Sequence, residues 1–405
     1  MALLADDLLR KIGESFLETS DLDYYINFRA ATPHWRRATG KPTADGDPRF
    51  MPRNWIMLER EDDDGFLTFV NLSTGRFLRK RLPCLRDYFF VGAATGSGHL
   101  VVGERAPPYQ TRVINPFTGT MVEFMAPIPL PRVETVVVTF SPMMVFISDG
   151  GFVQWADQNS ESFQQAEFLP RWARSCRHMT TLFAGQVYVT TGRGAIASSS
   201  IVEAAGTEEE GGAQVADQNI VMDTAVLGPP LGEGRSYDYH YLVESEGELL
   251  LVRGQHDTSP VVYKVDLVNK VLVPLRSIGG RALFLSDSRC FSIDAGKFHT
   301  IEASTIYYAY AAPGAPGWVH AYDYDQSLAE RDTSGLVHDL GTDFSLGCCC
   351  RPFTFPELLT SYLTALHDDL TELERVVHYG DEYYGYGNDE ADQNDELLID
   401  HTSDI

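Results

Sequence analysis

The sequence predicts a mainly β protein: a β-propeller of six or seven blades, preceded by a small α-helical module and followed by one amphipathic helix and a disordered acidic tail. Three observations carry this expectation. From about Trp55 to Tyr324, short β-branched and aromatic runs alternate with Gly, Asp, Asn and Pro turns. Within that region the chain echoes itself, because Asn71-Leu72-Ser73-Thr74-Gly75 returns as Asn115-Pro116-Phe117-Thr118-Gly119, 44 positions further on. Propeller blades repeat at about 40–50 residues. Helical periodicity is confined to the two ends of the chain.

The N-terminal module spans residues 1–42. Leu8, Leu9, Ile12 and Phe16 recur at helical spacing, with Asp6 and Asp7 where a helix start favours negative charge. A second helix is expected after Ser20 as N-cap, carrying Leu22, Tyr25 and Ile26. Thr32 followed by Pro33 reads as a third start, and Gly40 as a stop. Such a module is too small to be stable alone, so its apolar face must cover either a partner or an edge of the following domain.

The β-domain spans residues 50–350. Expected strands include Phe66–Asn71, Val133–Ser141, Met144–Ser148, Gln186–Thr191, Glu248–Arg253, Val261–Asp266 and Ala282–Leu285. Asp266-Leu267-Val268-Asn269 repeats the strand–turn–strand character of the Asn71 echo. Gly279-Gly280 marks a tight or bulged turn. The acidic, Gly/Ala-rich stretch 203–219 reads as an exposed loop between strands. Residues 355–377 form an amphipathic helix with Leu359, Leu363, Leu366, Leu370 and Leu373 on one stripe. Residues 378–405 hold many Asp, Glu, Tyr and Gly but no Lys or Arg, and read as the disordered tail.

Several segments resemble known families. LLADDLLRKIGESF followed by DLDYYINFRAATPHWRRAT resembles a plant F-box, through Leu4, Asp7, Leu8, Leu9, Ile12, Leu22, Phe28, Arg29, Trp35 and Arg36. Ala5 stands where that pattern usually has proline. In the β-domain, Tyr241–Val252, Val262–Leu267, Ile278–Leu285, Ile306-Tyr307-Tyr308 and His320–Asp323 are similar to the plant KIB-type β-propeller family, catalogued as domain of unknown function 295. The resemblance implies a substrate-recognition subunit of a Skp-cullin-F-box ubiquitin ligase. Leu4, Leu8, Leu9, Ile12, Leu22, Phe28 and Trp35 would then dock a Skp-type adaptor, and through it a cullin. A propeller face would bind a target protein that the sequence does not name. The same apolar residues also suit the module's own core, which leaves a second reading: an interaction scaffold whose F-box is degenerate.

Composition and motifs narrow the classes further. The formal net charge of −25 argues against nucleic acid as a partner. Nothing matches HExxH, GxSxG or a Walker A loop, and Gly92–Gly98 lacks dinucleotide spacing. No catalytic residue, cofactor or metal site is expected, and a propeller enzyme is an unsupported third reading. Cys84, Cys176 and Cys290 are isolated, and Cys348-Cys349-Cys350 are adjacent without a CxxC pair. That pattern fits a reducing compartment better than a disulfide framework or a zinc site. The start MALLADDLLRK lacks the features of a signal peptide, and no apolar run is long enough to span a membrane. The expected location is cytoplasm, nucleus or both, with no membrane partner.

Overall fold

The computed structural model describes residues 4–42, 47–59, 66–129, 133, 135–140, 143–148, 153–165, 180–190, 195–203, 218–226, 238–255, 260–286, 289–310, 317–324, 335–341 and 359. Three helices lead the chain: α1 (Asp6–Glu18), α2 (Leu22–Ala31) and α3 (Pro33–Ala38). Asp21, rather than Ser20, caps α2, its carboxylate accepting from the Tyr24 N–H at 3.3 Å. Ser20 instead makes the turn between α1 and α2 at φ 54°. Thr32 caps α3 as the sequence suggests, accepting from Trp35 N–H at 3.1 Å, with Pro33 at the first helical position.

Six sheets follow. Blade one holds β1 (Trp55–Glu59), β2 (Phe66–Asn71) and β3 (Phe77–Arg81). Blade two is β4 (Tyr88–Ala93), β5 (Leu100–Glu104), β6 (Gln110–Ile114) and β7 (Met121–Pro127). Blade three is β8 (Thr135–Thr139), β9 (Met144–Ser148), β10 (Val153–Asp157) and β11 (Gln164–Gln165). Blade four is β12 (Thr180–Phe183), β13 (Gln186–Thr190), β14 (Ile196–Glu203) and β15 (Gln218–Val226). Blade five is β16 (Asp238–Ser245), β17 (Glu248–Gln255), β18 (Val261–Asp266) and β19 (Val271–Pro274). Blade six is β20 (Arg281–Leu285), β21 (Cys290–Asp294), β22 (Thr305–Tyr310), β23 (Gly317–Asp323) and β24 (Gly335–Gly341). The expected propeller is therefore six-bladed. Blades two to five are antiparallel meanders, each strand pairing with the next in sequence.

Blade six departs from the meander. Its order is β21-β20-β22-β23-β24, and β20 pairs with β22 in parallel. A parallel neighbour cannot be reached by a tight hairpin. The chain leaves β21 through a short 3-10 turn (Ala295–Lys297) and residues 298–304, crossing the end of β20 before β22 begins.

The apolar runs of the sequence follow from burial on both faces of a blade. Successive side chains of a strand point to opposite faces, so one strand serves two interfaces. On β4, Phe89 and Val91 pack towards blade three while Phe90 packs towards blade one. On β8, Val136 and Val138 face blade two, and Val137 faces blade four. Leu242 meets blade four, whereas Tyr241 and Val243 meet blade six. On β20, Leu283 and Leu285 face blade five, and Ala282 and Phe284 face Ile56, Leu58 and Val70 of blade one. That last cluster closes the ring. Each fully buried Val, Leu, Ile or Phe among them contributes about 1.5–3 kcal/mol relative to exposure.

The Asn71 echo marks one structural position. Asn71 Oδ1 accepts from the N–H of Ser73 and Thr74 at 2.8 and 3.1 Å, and Asn115 Oδ1 accepts from Phe117 and Thr118 at 3.0 and 3.2 Å. Gly75 and Gly119 close these turns at φ 70° and 71°, a conformation that suits glycine. Asp157 and Asp266 make the same side-chain turn in blades three and five. The loop expected at 203–219 is shorter at its ends, because Glu203 pairs with Gln218 and Val202 with Asn219. The expected tail, the three adjacent cysteines and all of the 355–377 helix except Leu359 lie outside the described residues. Leu359 is fully buried in the cluster that joins blades six and one.

Candidate functional site

In a meander the turns after the first and third strands lie at one end of the blade, and those after the second and fourth at the other. β2 is the second of three strands and β6 the third of four, yet the Phe117 ring of the Asn115 turn lies 4.8 Å from Trp55, which pairs with Asn71, so the Asn71 and Asn115 turns share one end of the ring. The N-terminal segment is docked there. Leu22 and Tyr25 of α2 enter a core with Phe50, Trp55, Phe69 and Phe117. Trp55 Nε1 donates to the Ser20 carbonyl at 2.8 Å. Asn71 Nδ2 donates to the Thr19 carbonyl at 3.1 Å, and Asn115 Nδ2 to the Phe50 carbonyl at 2.9 Å. The two asparagines therefore use one side-chain atom for their turn and the other for the docked segment.

Arg76, at the end of the Asn71 turn, is the charged anchor. Its guanidinium reaches Asp21 and Asp23 at 2.5 Å each and lies over the Tyr24 ring, 3.7 Å from its centre. Asp21 is 4% exposed at its side chain. Burial pushes its carboxyl up, opposed by the Tyr24 N–H and the Arg76 cation. Removing one partner of such a pair costs more than the pair contributes, because a buried charge is left alone.

The structure separates the seven apolar residues singled out in the module. Leu9 and Leu22 are fully buried, and serve the core of the module and its seat on the propeller. Ile12, Phe28 and Trp35 are half-buried, with the Phe28 and Trp35 rings 4.6 Å apart and Phe16 5.8 Å from Phe28. Leu4 and Leu8 point outwards, 38% and 46% exposed. Leu4 lies just ahead of the N-cap Ala5, and Leu8 in the first turn of α1. Arg76, Trp55, Asn71 and Asn115 were not recognised as docking residues from sequence. The one available signal was amide in place of carboxylate at the turn position of blades one and two.

The centre of this face is bridged by the loop Ala94–Gly98, between β4 and β5. Thr95 N–H donates to the Val136 carbonyl of blade three at 2.8 Å. A Cβ at Gly96 would lie 3.2 Å from Leu182 of blade four, and one at Gly98 only 2.1 Å from the Pro52 carbonyl oxygen ahead of blade one. The loop thus links blades two, three and four with the segment that precedes blade one. Glu244, near the end of β16, has its carboxyl pushed up by the surrounding protein and held down in part by the Arg53 cation.

Beside that loop, a small cleft is lined by Phe50, Met51, His99, Asn115, Phe140 and Met143 among others. Nδ1 of His99 and Oγ of neighbouring Ser97 are buried without a hydrogen-bond partner among the described residues. Burial takes His99 down to about 4, so the ring is neutral near pH 7. The Cys290 thiol is pushed up to about 12 by burial, which removes its nucleophilicity. His240 is a buried strand residue on β16. Among the described residues no group of three or more His, Cys, Asp or Glu is arranged to hold a metal ion. No helix among them is long and apolar enough to cross a membrane.

Fold and surface together define a protein-interaction propeller, a ring of six blades with a helical module fixed to one face; it is not an obvious catalytic fold. The chain belongs to the KIB1-4 beta-propeller family, whose pattern it matches over residues 69–338. No curated protein matches the sequence. Among solved structures, TolB from Acinetobacter baumannii aligns with a TM-score of 0.31 at 12% identity, covering 64% of this chain and 57% of that one. The chain thus spans less than two thirds of the length of that protein.

Proposed function

We propose that this protein is the substrate-recognition subunit of a Skp-cullin-F-box ubiquitin ligase, with the helical module as F-box and the propeller as target receptor. The observation that carries the reading is the division of labour within the module. Leu9, Leu22 and Tyr25 turn inwards to the module and propeller, which leaves Leu4 and Leu8 as an apolar pair open to a partner. Arg76, Asn71 and Asn115 hold the module in a fixed orientation, as is needed to present a target to a distant catalytic subunit. The module occupies the face carrying the first-to-second and third-to-fourth turns. Target choice falls to the loops of the opposite face, such as Arg105–Tyr109.

The test is co-purification of the full chain with a Skp-type adaptor, comparing wild type with Leu4→Ala/Leu8→Ala. Both side chains are exposed, so the variant keeps its fold. Loss of at least about tenfold in affinity is expected, matching about 1.4 kcal/mol of lost contact. Equal binding by the double variant overturns the proposal.

A second reading treats the module as a permanent cap on the propeller. The inward turn of Leu9 and Leu22 favours it. Failure of the wild-type chain to bind the adaptor, with the module still docked, would select the cap.

A further inference from the structure

We propose that His34 is a positioning residue that fixes the leading residues of α1, and with them the exposed Leu4–Leu8 pair. The inference rests on the reading of that pair as the partner contact. The start of α1 has little local support. Its N-cap is Ala5, which has no side chain able to accept a hydrogen bond from the first turn. Ala5 holds φ −65° and ψ 145°, and its carbonyl accepts from Leu8 and Leu9 N–H at 3.0 and 3.1 Å. Alanine does not enforce that φ. A proline would, because its ring locks φ near this value.

The restraint comes from 30 residues away. His34 Nε2 lies 3.3 Å from the Leu4 carbonyl oxygen and 3.3 Å from Oδ1 of Asp6. Both neighbours are acceptors, so Nε2 carries the hydrogen and is shared between them. His34 thus grips the chain on either side of Ala5. It is itself held on α3, whose start is fixed by the Thr32 cap and whose next residue, Trp35, packs on Phe28. The arrangement replaces a local covalent restraint by a tertiary one.

The experiment uses the full chain and four variants: His34→Ala, His34→Gln, Ala5→Pro, and His34→Ala with Ala5→Pro. Two quantities are read: hydrogen exchange of the Leu8 and Leu9 amides in the free protein, and affinity for a Skp-type adaptor. His34→Ala is expected to speed exchange and weaken binding by about two- to fivefold, the size of effect from freeing one backbone position. His34→Gln keeps an N–H donor at similar reach and should behave as wild type. Ala5→Pro in the His34→Ala background should restore both readouts, since the native φ already suits proline and the Leu4 carbonyl no longer needs a donor to set the entry angle. Unchanged exchange in His34→Ala, or no rescue by Ala5→Pro, overturns the positioning role. If even the wild type fails to bind the adaptor, the functional reading falls, while the exchange arm still decides whether His34 orders the helix start.

Discussion

His99 illustrates how one residue can set the acid sensitivity of the whole fold. Its ring lies 5.0 Å from Phe140 on the wall of the cleft beneath the N-terminal segment. Desolvation disfavours the imidazolium, so the folded protein binds its proton only at about pH 4, whereas the unfolded chain binds it at the ordinary value of 6.5. Between those values the unfolded state carries the extra proton. Stability is therefore fully present above about pH 6.5 and is lost as pH falls towards 4, by about 3 kcal/mol for this one group. Glu244 and Asp21 have raised values and act in the opposite sense, being relieved as they protonate. Urea unfolding at about pH 7 and about pH 5 should show a clear loss for wild type and a smaller one for His99→Gln. Equal losses would assign the acid sensitivity to other groups.

At the scale of elements, the repeated turn is used in two ways. Asp157 and Asp266 accept only from their own turns, including the Ser160 hydroxyl and the Asn269 side chain, while Asn71 and Asn115 also donate to the carbonyls of Thr19 and Phe50. A carboxylate could make the turn but would place negative charge against those carbonyl oxygens. Asn71→Asp and Asn115→Asp are each expected to cost about 1–3 kcal/mol in denaturant unfolding, the size of a buried acceptor left without its donor. Asp266→Asn, half-buried and free of that second duty, should change stability by less than about 0.5 kcal/mol. A comparable loss at all three positions would place the effect in the turn itself rather than in docking. The helices show a related division. Leu8 and Leu9 are neighbours in the helical pattern of α1, but only the packing of α1 within the folded chain decides that Leu9 is buried and Leu8 exposed.

The whole molecule depends on closing a ring whose first and last blades are far apart in sequence. Ile56, Leu58 and Val70 of blade one meet Phe284 and Tyr307 of blade six, and Leu359 is buried among them. Phe284 stacks on Tyr307 at 4.7 Å and on Phe291 at 5.1 Å, giving this seam a rigid aromatic layer. Leu359→Ala is expected to lower unfolding free energy by about 2–5 kcal/mol, through lost burial and the cavity left behind. The same substitution at Leu4, 38% exposed and remote from any seam, should be near neutral. Thermal or urea unfolding separates these outcomes, and a neutral Leu359→Ala would mean that the ring closes without the C-terminal contribution. The helical module and the opposite-face loops are then two ends of one closed body.

Much of this was legible in the chain itself. The strands expected at Phe66–Asn71, Met144–Ser148 and Val261–Asp266 coincide with β2, β9 and β18, because short apolar runs between turn residues are decided by neighbours in sequence. The 44-residue echo carried the propeller, since the same side-chain turn must recur in each blade that uses it. Sequence left six and seven blades equal, because blade number is a property of closure. The strand at Ala282–Leu285 was legible and coincides with β20, but its parallel pairing with β22, which joins segments separated by a crossover, was not. The outward turn of Leu4 and Leu8, the grip of His34 on Leu4 and the clasp of Arg76 on α2 all join residues that local periodicity treats separately. Secondary structure and repeat follow from local patterning, but which side chains of the module stay open was decided only by tertiary packing, which buried Leu9 and set Leu22 and Tyr25 against the propeller.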